Sequence, residues 1–288
     1  MSELAAGRSL ELELLEIAER AAHAAGEELL SRFGRAPLNL RSKSTPTDPV
    51  SDSDLAAEAA IRAVLTRERP ADAILGEEGG ATPGAGADGA EHGLTWVVDP
   101  LDGTVNYLYQ QPTFAVSVAC RDAERTLVGV ILHPVAQERF SATRSGVALR
   151  DRGDGDTAEE MKPRQGPEQL GHVLVGTGFA YDPAVRAAQG RVAARLLPRV
   201  RDIRRAGAAA LDLAACAAGR LDAYYERGVQ AWDVAAGTLI CERVGLVVRR
   251  LDEVPADDAA VALPAGVLVA PPGLIDQLEA LVAGPAPQ

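Results

Sequence analysis

Carboxylates follow several apolar runs in this chain, and their positions point to metal chemistry. In the segment WVVDPLDGT, Asp99 and Asp102 come directly after an apolar run, Glu77 follows the run AILG, and Asp233 follows Trp232 where a helix is expected to begin. Carboxylates at strand ends or in tight turns can converge while the framework stays rigid. Oxygen ligands without accompanying His or Cys suit hard cations. The pattern therefore predicts a magnesium site.

The residues next to these carboxylates add groups that could bind an anion. The backbone carbonyl of Leu101 could supply a further oxygen ligand, and Gly103 and Thr104 offer backbone N–H groups and a hydroxyl. Carboxylates, cations and anion-binding amides together indicate metal-assisted phosphoryl transfer, in which the cations share the transferred group and lower the pKa of a bound water.

Each motif taken alone also fits a structural role. DPLDGT is compatible with an Asp-Pro turn, GEEGG with a solvated turn, and Asp233 with a helix N-cap. Asp48 and Asp54 flank the expected start of a helix and could simply interact with its dipole. The metal prediction therefore depends on the combination. G-x-S-x-G does not occur, and the glycines of GTGF do not continue into G-x-G-x-x-G, so acyl transfer and dinucleotide binding at that strand are not supported.

The charge balance and the apolar runs exclude several classes of protein. The 288 residues include 41 acidic and 29 basic side chains, a net charge of −12, so we expect no direct nucleic-acid partner. Three isolated cysteines in apolar surroundings are typical of buried thiols in a reducing compartment. No apolar run approaches the roughly 18–20 residues of a membrane span, and the acidic N-terminus is unlike a signal peptide. We expect a soluble, cytoplasmic protein without a membrane partner.

Hydrophobic periodicity predicts the elements that must position the carboxylates. Helices are expected from Leu10 to about Phe33 and from near Asp52–Asp54 onwards, and the segment 79–93, rich in Gly, Ala and Pro, is expected to be a mobile surface loop. Strands are expected at AILGEEGG, LTWVVDP, TFAVSVAC, TLVGVILHP and ERFSATR. These elements place most of the carboxylates at strand ends.

The second half of the chain alternates strands with helices. Strands are expected at HVLVGTGF, DAYYERG and AGVLVA. Helices are expected between and after them, in DPAVRAAQGRVAARLLPRV, AGAAALDLAACAAGRL, WDVAAGTLICERVG and GLIDQLEALVAG. A polar, turn-rich segment, 149–171, is expected to join an N-terminal α+β half, 1–160, to a C-terminal α/β half, 161–288, in one catalytic unit. The order of elements indicates a layered α/β or α+β architecture.

The ordered motifs resemble the inositol monophosphatase family of magnesium-dependent, lithium-sensitive phosphatases, and most closely its bacterial inositol-1-monophosphatase branch. The resemblance spans about Leu14 to about Ala270 and depends on KSTPTDPVSDSD, ILGEEGG, WVVDPLDGTVNY, RRAGAAALDLAACAAGRLDAYYERGVQAWDVAAG and ERVG. Ser51 stands where the family usually has threonine, which keeps the hydroxyl. The resemblance implies a layered αβαβα sandwich, a metal site where the two halves meet, and a homodimer.

The resemblance also implies roles for individual residues. The ligands of two or three Mg²⁺ ions would be Glu77, Asp99, the carbonyl of Leu101, Asp102 and Asp233. Asp54, Thr104 and Glu77 would orient the attacking water. The phosphate and the sugar alcohol would contact Asp102, Gly103, Thr104, Arg204, Gly207, Ala209, Glu226 and Asp233.

The function predicted in this way is hydrolysis of inositol 1-phosphate to inositol and phosphate by a metal-activated water. Two alternatives stay open. The substrate could be another small phosphate ester, such as histidinol phosphate or fructose 1,6-bisphosphate. The chain could also be a regulatory or interaction protein that retains the fold.

Overall fold

The computed structural model describes residues 2–35, 41–42, 49–85, 93–155, 157–256 and 261–284; Asp48 and part of the expected loop, 86–92, lie outside them. The α-helices are α1 (Ser2–Arg32), α2 (Asp52–Glu68), α3 (Thr104–Leu108), α4 (Pro183–Leu196), α5 (Ala209–Ala217), α6 (Ala231–Arg243) and α7 (Ile275–Val282). The strands are β1 (Arg41–Ser42), β2 (Pro49–Val50), β3 (Ala73–Gly76), β4 (Gly80–Thr82), β5 (Thr95–Asp102), β6 (Ala115–Arg121), β7 (Thr126–His133), β8 (Glu138–Thr143), β9 (Ala148–Asp151), β10 (Glu159–Glu160), β11 (Leu174–Thr177), β12 (Asp202–Arg204), β13 (Ala223–Arg227), β14 (Val247–Leu251), β15 (Val254–Pro255), β16 (Ala262–Leu263) and β17 (Gly266–Ala270).

Helices α1 and α2 form the first layer of the molecule. They pack against each other, and α1 also lies against β6 and β7. The buried face of α1 repeats at helical spacing, as the periodicity predicts, with Leu14, Ala18, Ala21, Ala25 and Leu29 fully buried. The small alanines allow the close approach of α1 to its neighbours. The start of α2 is fixed by Ser51, which caps the helix.

The second layer is an eight-stranded sheet with the order β10-β9-β8-β7-β6-β5-β3-β4. All neighbours in it are antiparallel except β3 and β5, which run parallel with Gly76 opposite Val98. Because parallel strands end at the same edge of a sheet, the residues that follow Gly76 and Val98 emerge side by side. Those residues are Glu77 and Asp99.

Three further layers complete the fold. Helices α5 and α6 pack on each other and on the second face of the large sheet. A five-stranded sheet with the order β12-β11-β13-β17-β14 lies beyond them, and helices α4 and α7 contact each other at its outer face. The sequence of layers is αβαβα, which confirms the predicted sandwich. Among the described residues, none of the helices combines the length and apolar composition that a membrane crossing requires.

The segment between the two sheets is more ordered than its polar sequence suggests. Strands β9 and β10 lie within the segment expected to be a turn-rich join, and they extend the large sheet. Nearby, Arg220 Nη1 donates a 2.8 Å hydrogen bond to Glu138 Oε2, and Arg150 pairs with the same carboxylate. Burial opposes ionisation of Glu138, but the hydrogen bonds from both arginines hold its pKa below the usual value. This cluster joins the two halves; their division at residue 160 stays a prediction.

The contact between α6 and the large sheet depends on a glycine in β7. A Cβ added at Gly129 would lie 2.7 Å from Ala236 Cα, so any larger residue forces the helix away from the sheet. We expect Gly129→Ala to lower the free energy of unfolding by about 1–3 kcal/mol, measured by urea denaturation. Gly190, in the exposed face of α4, is the matched control because a Cβ there meets nothing within 4 Å. Gly190→Ala should raise stability by about 0.5–1 kcal/mol. Equal effects of the two changes would contradict this account of the packing.

Candidate active site

A β-bulge at the end of β5 brings two carboxylates to the same side of the sheet. In a regular strand, residues three apart point to opposite faces. Asp99 pairs with Ser117 but Asp102 pairs with Ala115, so β5 contains one extra residue between them. The extra residue restores the same direction for both side chains, and Leu101 N donates a 3.0 Å hydrogen bond to Asp99 Oδ1. This geometry explains the spacing of DPLD.

Two further carboxylates come from other elements. Glu77 follows β3 at the edge where β5 also ends, and its N–H donates to Val98 O at 3.3 Å. Asp233 lies in the first turn of α6, where its Oδ2 accepts a 2.6 Å hydrogen bond from Gln230 N. Three segments distant in sequence thus bring four carboxylates, Glu77, Asp99, Asp102 and Asp233, to one place.

A cavity of about 480 Å³ contains most of the predicted site residues. It is lined by Glu77, Asp99, Leu101, Asp102, Gly103, Thr104, Gly207, Ala209, Glu226 and Asp233 among others. Asp54 lies behind this lining, in contact with Thr104. Arg204, like Asp54, is absent from the lining, and its guanidinium donates a 2.6 Å hydrogen bond to Asp202 at the surface.

Asp102 also serves as the cap of a helix in the other half of the chain. Helix α5 has alanine at its N-cap position, which provides no capping side chain. Asp102 takes that place: its two oxygens accept hydrogen bonds from Ala209 N at 3.1 Å and Ala210 N at 2.6 Å. A carboxylate is favoured at a helix N-terminus by the unpaired N–H groups and the helix dipole. The contact fixes α5 to the end of β5.

Thr104 is held by a network that begins at the start of α2. Its hydroxyl lies 3.0 Å from Asp54 Oδ1 and 3.1 Å from Leu101 O. The second oxygen of Asp54 accepts hydrogen bonds from the backbone N–H and the hydroxyl of Ser51, at 2.9 and 2.6 Å. Ser51 stands where the family usually has threonine, and its hydroxyl makes this hydrogen bond to Asp54. The orientation of Thr104 is therefore fixed by groups outside the cavity.

Three aspartates in the cavity have pKa values above their ordinary range. Burial, followed by the charges of Glu77, Asp102 and Asp233, raises the pKa of Asp99 well above its usual value. Burial raises the pKa of Asp102 to about 7, although the N–H groups of Ala210 and Ala209 oppose this rise. Burial and the Asp102 charge also raise the pKa of Asp233. Desolvation and mutual repulsion thus make the cavity unfavourable for several negative charges unless a cation accompanies them.

The donor set fits a hard divalent cation in its chemistry. The cavity offers carboxylate oxygens and the carbonyl of Leu101 within one lining. Within the described parts of the chain, however, no three Asp, Glu, His or Cys side chains already surround a common point at ligating distance. Asp102 and Asp233 instead accept hydrogen bonds from backbone N–H groups, so cation binding competes with these bonds.

The other side of the cavity is built around Glu226 at the end of β13. Tyr224 donates a 2.6 Å hydrogen bond to Glu226 Oε2. A Cβ at Gly178 would lie 2.0 Å from that oxygen, so the second glycine of GTGF makes room for the carboxylate. Burial raises the pKa of Glu226, while Tyr224 and the positive charge of Arg205 lower it. This wall offers hydrogen-bond acceptors to a polar ligand.

Several cavity residues were not predicted from the sequence. Arg205, and not Arg204, is the arginine of the RRAG motif that lines the cavity, and the segment from Phe179 to Asp182 forms another wall. The signal for Arg205 was weak because adjacent residues in an irregular segment cannot be assigned to a face by periodicity. Gly207 has a φ of +92°, and a Cβ there would lie 2.3 Å from Arg205 Nη1, so this glycine leaves room for the guanidinium, whose charge acts on Glu226 and Asp212.

Comparison with known proteins places this site in a family. A model of the inositol monophosphatase family matches residues 11–283. The chain belongs to the inositol monophosphatase family. Its relatives include the inositol-1-monophosphatase of Mycobacterium bovis, which is 42% identical over 250 residues, 86% of this chain and 83% of that protein. The family consists of phosphatases that bind phosphate esters and generally depend on metal ions.

Solved structures and other relatives extend the comparison. Mycobacterium tuberculosis SuhB superposes with a TM-score of 0.76 at 36% identity, covering 94% of this chain and 95% of that one. Inositol monophosphatase from Anabaena gives a TM-score of 0.72 at 32% identity, with coverage of 94% and 95%. A protein of Pseudomonas aeruginosa named Nus factor SuhB is 41% identical over 239 residues, 82% of this chain and 84% of that protein. The relatives of this chain therefore include proteins named for an enzyme and proteins named Nus factor.

Asp212, buried in α5 behind the cavity, generates a prediction about pH. Burial raises its pKa from the ordinary 3.8 to about 8, Glu226 and Asp102 add to the rise, and Arg205 opposes it. Because the folded state holds this proton more tightly than the unfolded state, the stabilisation is complete below about pH 3.8 and is lost as pH rises to about 8. We expect Asp212→Asn to gain stability relative to the parent over this range, by at most about 1.4 kcal/mol per pH unit. Urea denaturation in EDTA at pH 5 and pH 8 tests this, and a constant difference between the proteins would contradict it.

Proposed function

We propose that this protein is a magnesium-dependent phosphomonoesterase that hydrolyses inositol 1-phosphate to inositol and phosphate. The observation that carries the proposal is the convergence of Glu77, Asp99, Asp102 and Asp233 in one cavity beside the Asp54–Thr104 pair. Membership of a phosphatase family supports the same reaction class.

Two or three Mg²⁺ ions would be held by Glu77, Asp99, the carbonyl of Leu101, Asp102 and Asp233. Bound there, they would lower the pKa of the attacking water and neutralise charge on the phosphate and the leaving oxygen. The raised pKa values of Asp99 and Asp102 support this assignment, because a nearby cation would offset the burial and the repulsion that cause them.

Thr104, Asp54 and Glu77 would orient the attacking water. When the Thr104 hydroxyl donates its single proton to Asp54 Oδ1, 3.0 Å away, its oxygen lone pairs are left to accept a hydrogen bond from water. Ser51 holds Asp54 in the required position. The arrangement resembles other catalytic sites in which a base is oriented by a third group.

The ester would lie between the phosphate side and the polyol side of the cavity. The N–H groups of Gly103 and Thr104 would bind phosphate, while Asp102, Gly207, Ala209, Glu226 and Asp233 would contact the sugar alcohol. Gly103 has a φ of +92°, and a Cβ there would lie 3.1 Å from Thr113 O and 3.2 Å from Gly207 O, so glycine suits this turn. Arg205, which lines the cavity, would have the role predicted for Arg204.

Two alternatives are kept for specific reasons. Glu226 would accept hydrogen bonds from an amine as well as from hydroxyls, so histidinol phosphate and fructose 1,6-bisphosphate remain alternative substrates. The relatives named Nus factor SuhB support a regulatory role in which the same fold binds transcription proteins. The predictions of a homodimer and a cytoplasmic location come from the resemblance and the composition.

Phosphate release from a panel of esters tests the proposal directly. The panel contains inositol 1-phosphate, histidinol phosphate, fructose 1,6-bisphosphate and adenosine 3′,5′-bisphosphate, each with Mg²⁺ and with or without lithium. We expect fast, lithium-sensitive release from inositol 1-phosphate. Asp102→Asn should reduce kcat/KM roughly a hundredfold or more because several kcal/mol of charge stabilisation is lost. Asp202→Asn, a surface carboxylate paired with Arg204, should leave the rate unchanged.

Each other result has a distinct meaning. A near-parental rate in Asp102→Asn would exclude the metal assignment, and a preference for another ester would replace the substrate. Inactivity across the panel, together with co-purification of RNA polymerase or ribosomes, would favour the regulatory role.

The two neighbouring arginines give a matched comparison. Arg205 lines the cavity and lowers the pKa of Glu226, whereas Arg204 pairs with Asp202 at the surface. We expect Arg205→Ala to raise KM for the preferred ester several-fold, because the charge that faces Glu226 is lost, and Arg204→Ala to leave KM within about a factor of two. The reverse pattern in steady-state kinetics would show that Arg204 is the residue that contacts the substrate.

A further inference from the structure

Glu58, in the middle of α2, is a buried carboxylate with no place in the mechanism described above. Only 3% of the residue is exposed. Its Oε2 accepts a 2.8 Å hydrogen bond from Glu78 N, and its Oε1 accepts a 2.9 Å hydrogen bond from Gly79 N. The carboxylate therefore binds the two peptide groups that directly follow Glu77.

Two positions of the segment GEEGG leave no room for a side chain, because Glu58 occupies the adjacent space. A Cβ at Gly76 would lie 2.6 Å from Glu58 Oε1, and a Cβ at Gly79 would lie 2.5 Å from the same atom. Neither position has a positive φ, so backbone conformation does not require glycine there. The turn after β3 is thus built around the carboxylate, with glycine on both sides of the two glutamates.

Arg62, one helical turn further along α2, completes the attachment. Its Nε donates a 2.7 Å hydrogen bond to Glu58 Oε1. Its other nitrogens donate to Gly80 O at 2.9 Å and to Thr82 Oγ1 at 3.0 Å. Glu58 and Arg62 together therefore bind two backbone N–H groups, those of Glu78 and Gly79, and the carbonyl of Gly80. Charge-assisted hydrogen bonds of this kind are stronger than neutral ones.

The same helix also carries Asp54, one turn before Glu58. Asp54 faces Thr104, while Glu58 faces the turn after Glu77. On the other side, Glu77 N is bound to Val98 O in β5. The backbone of Glu77 is therefore held between β5 and α2, and its carboxylate can keep a fixed relation to both Asp54 and Asp99.

We propose that Glu58, neutralised by Arg62, is a positioning residue that sets the affinity of the site for its divalent cation by fixing Glu77. The inference rests on the proposed function, in which Glu77 is a metal ligand. Residues that hold the ligands of a metal commonly change its affinity ten- to a hundredfold when they are replaced. Glu58 acts through the position of Glu77 and does not itself contact the cation.

Calorimetric titration of the full-length protein with Mg²⁺ alone tests the proposal. We expect Glu58→Gln to weaken Mg²⁺ binding by about tenfold or more, because the amide NH₂ cannot accept from the turn. At saturating Mg²⁺, kcat and the KM of the ester should stay close to those of the parent. Gly79→Ala should give the same pattern without any change of charge, since the added Cβ displaces Oε1.

Glu138→Gln is the control for a purely structural effect. Glu138 is also buried and paired with arginines, but it joins the two halves away from the cavity. We expect this change to lower Tm while leaving the Mg²⁺ Kd unchanged. Circular dichroism verifies that each variant is folded, and Gly79→Ala keeps the test available if Glu58→Gln does not fold.

The possible outcomes distinguish the positioning role of Glu58 from the proposed function of the protein. Weaker Mg²⁺ binding in both Glu58→Gln and Gly79→Ala, with parental binding in Glu138→Gln, supports the positioning role. Parental Mg²⁺ binding in the first two variants, whatever their Tm, overturns it while the proposed function stands. A parent protein that binds no Mg²⁺ overturns the proposed function and the inference together.

Discussion

The repulsion among buried carboxylates is the constraint on which the rest of this structure depends. Desolvation and like charge raise the pKa values of Asp99, Asp102 and Asp233 in one cavity. Backbone N–H groups bind three of these carboxylates: those of Leu101, Ala209, Ala210 and Gln230. Burying several carboxylates together lowers the stability of the fold, and such groups are typical of functional sites.

Asp102 shows how the same atoms serve folding and function. Its oxygens cap α5, a helix of the C-terminal half that has only alanine at its own N-cap. The contact joins the end of β5 to the helix layer between the two sheets. The Ser51–Asp54–Thr104 network, by contrast, is made entirely by residues of the N-terminal part of the chain.

Much of the fold was accessible from the sequence because its elements have regular periods. The apolar spacing of α1 and the strands β5 to β8 matched the prediction, and the family motifs led to the five-layer sandwich that the structure confirms. Strands β1, β2, β4, β9, β10, β12, β14, β15 and β16 were missed, and β4 lies in the segment 79–93 that was expected to be a loop. They are short or polar, and they form because a neighbouring strand presents unpaired backbone groups, which is a tertiary effect that no local pattern contains.

The sequence by itself determined which chemistry is available: the oxygen ligands, the DPLDGT and WD motifs, and the membership of a phosphatase family. Only the tertiary structure decided which residues act together. The bulge in β5 turns Asp99 and Asp102 to one side. Arg205, and not Arg204, lines the cavity, and Glu58 reaches the turn after Glu77 from a separate helix. The physical reason is that the type of a residue is local, whereas the direction of its side chain is set by pairing and packing between distant segments.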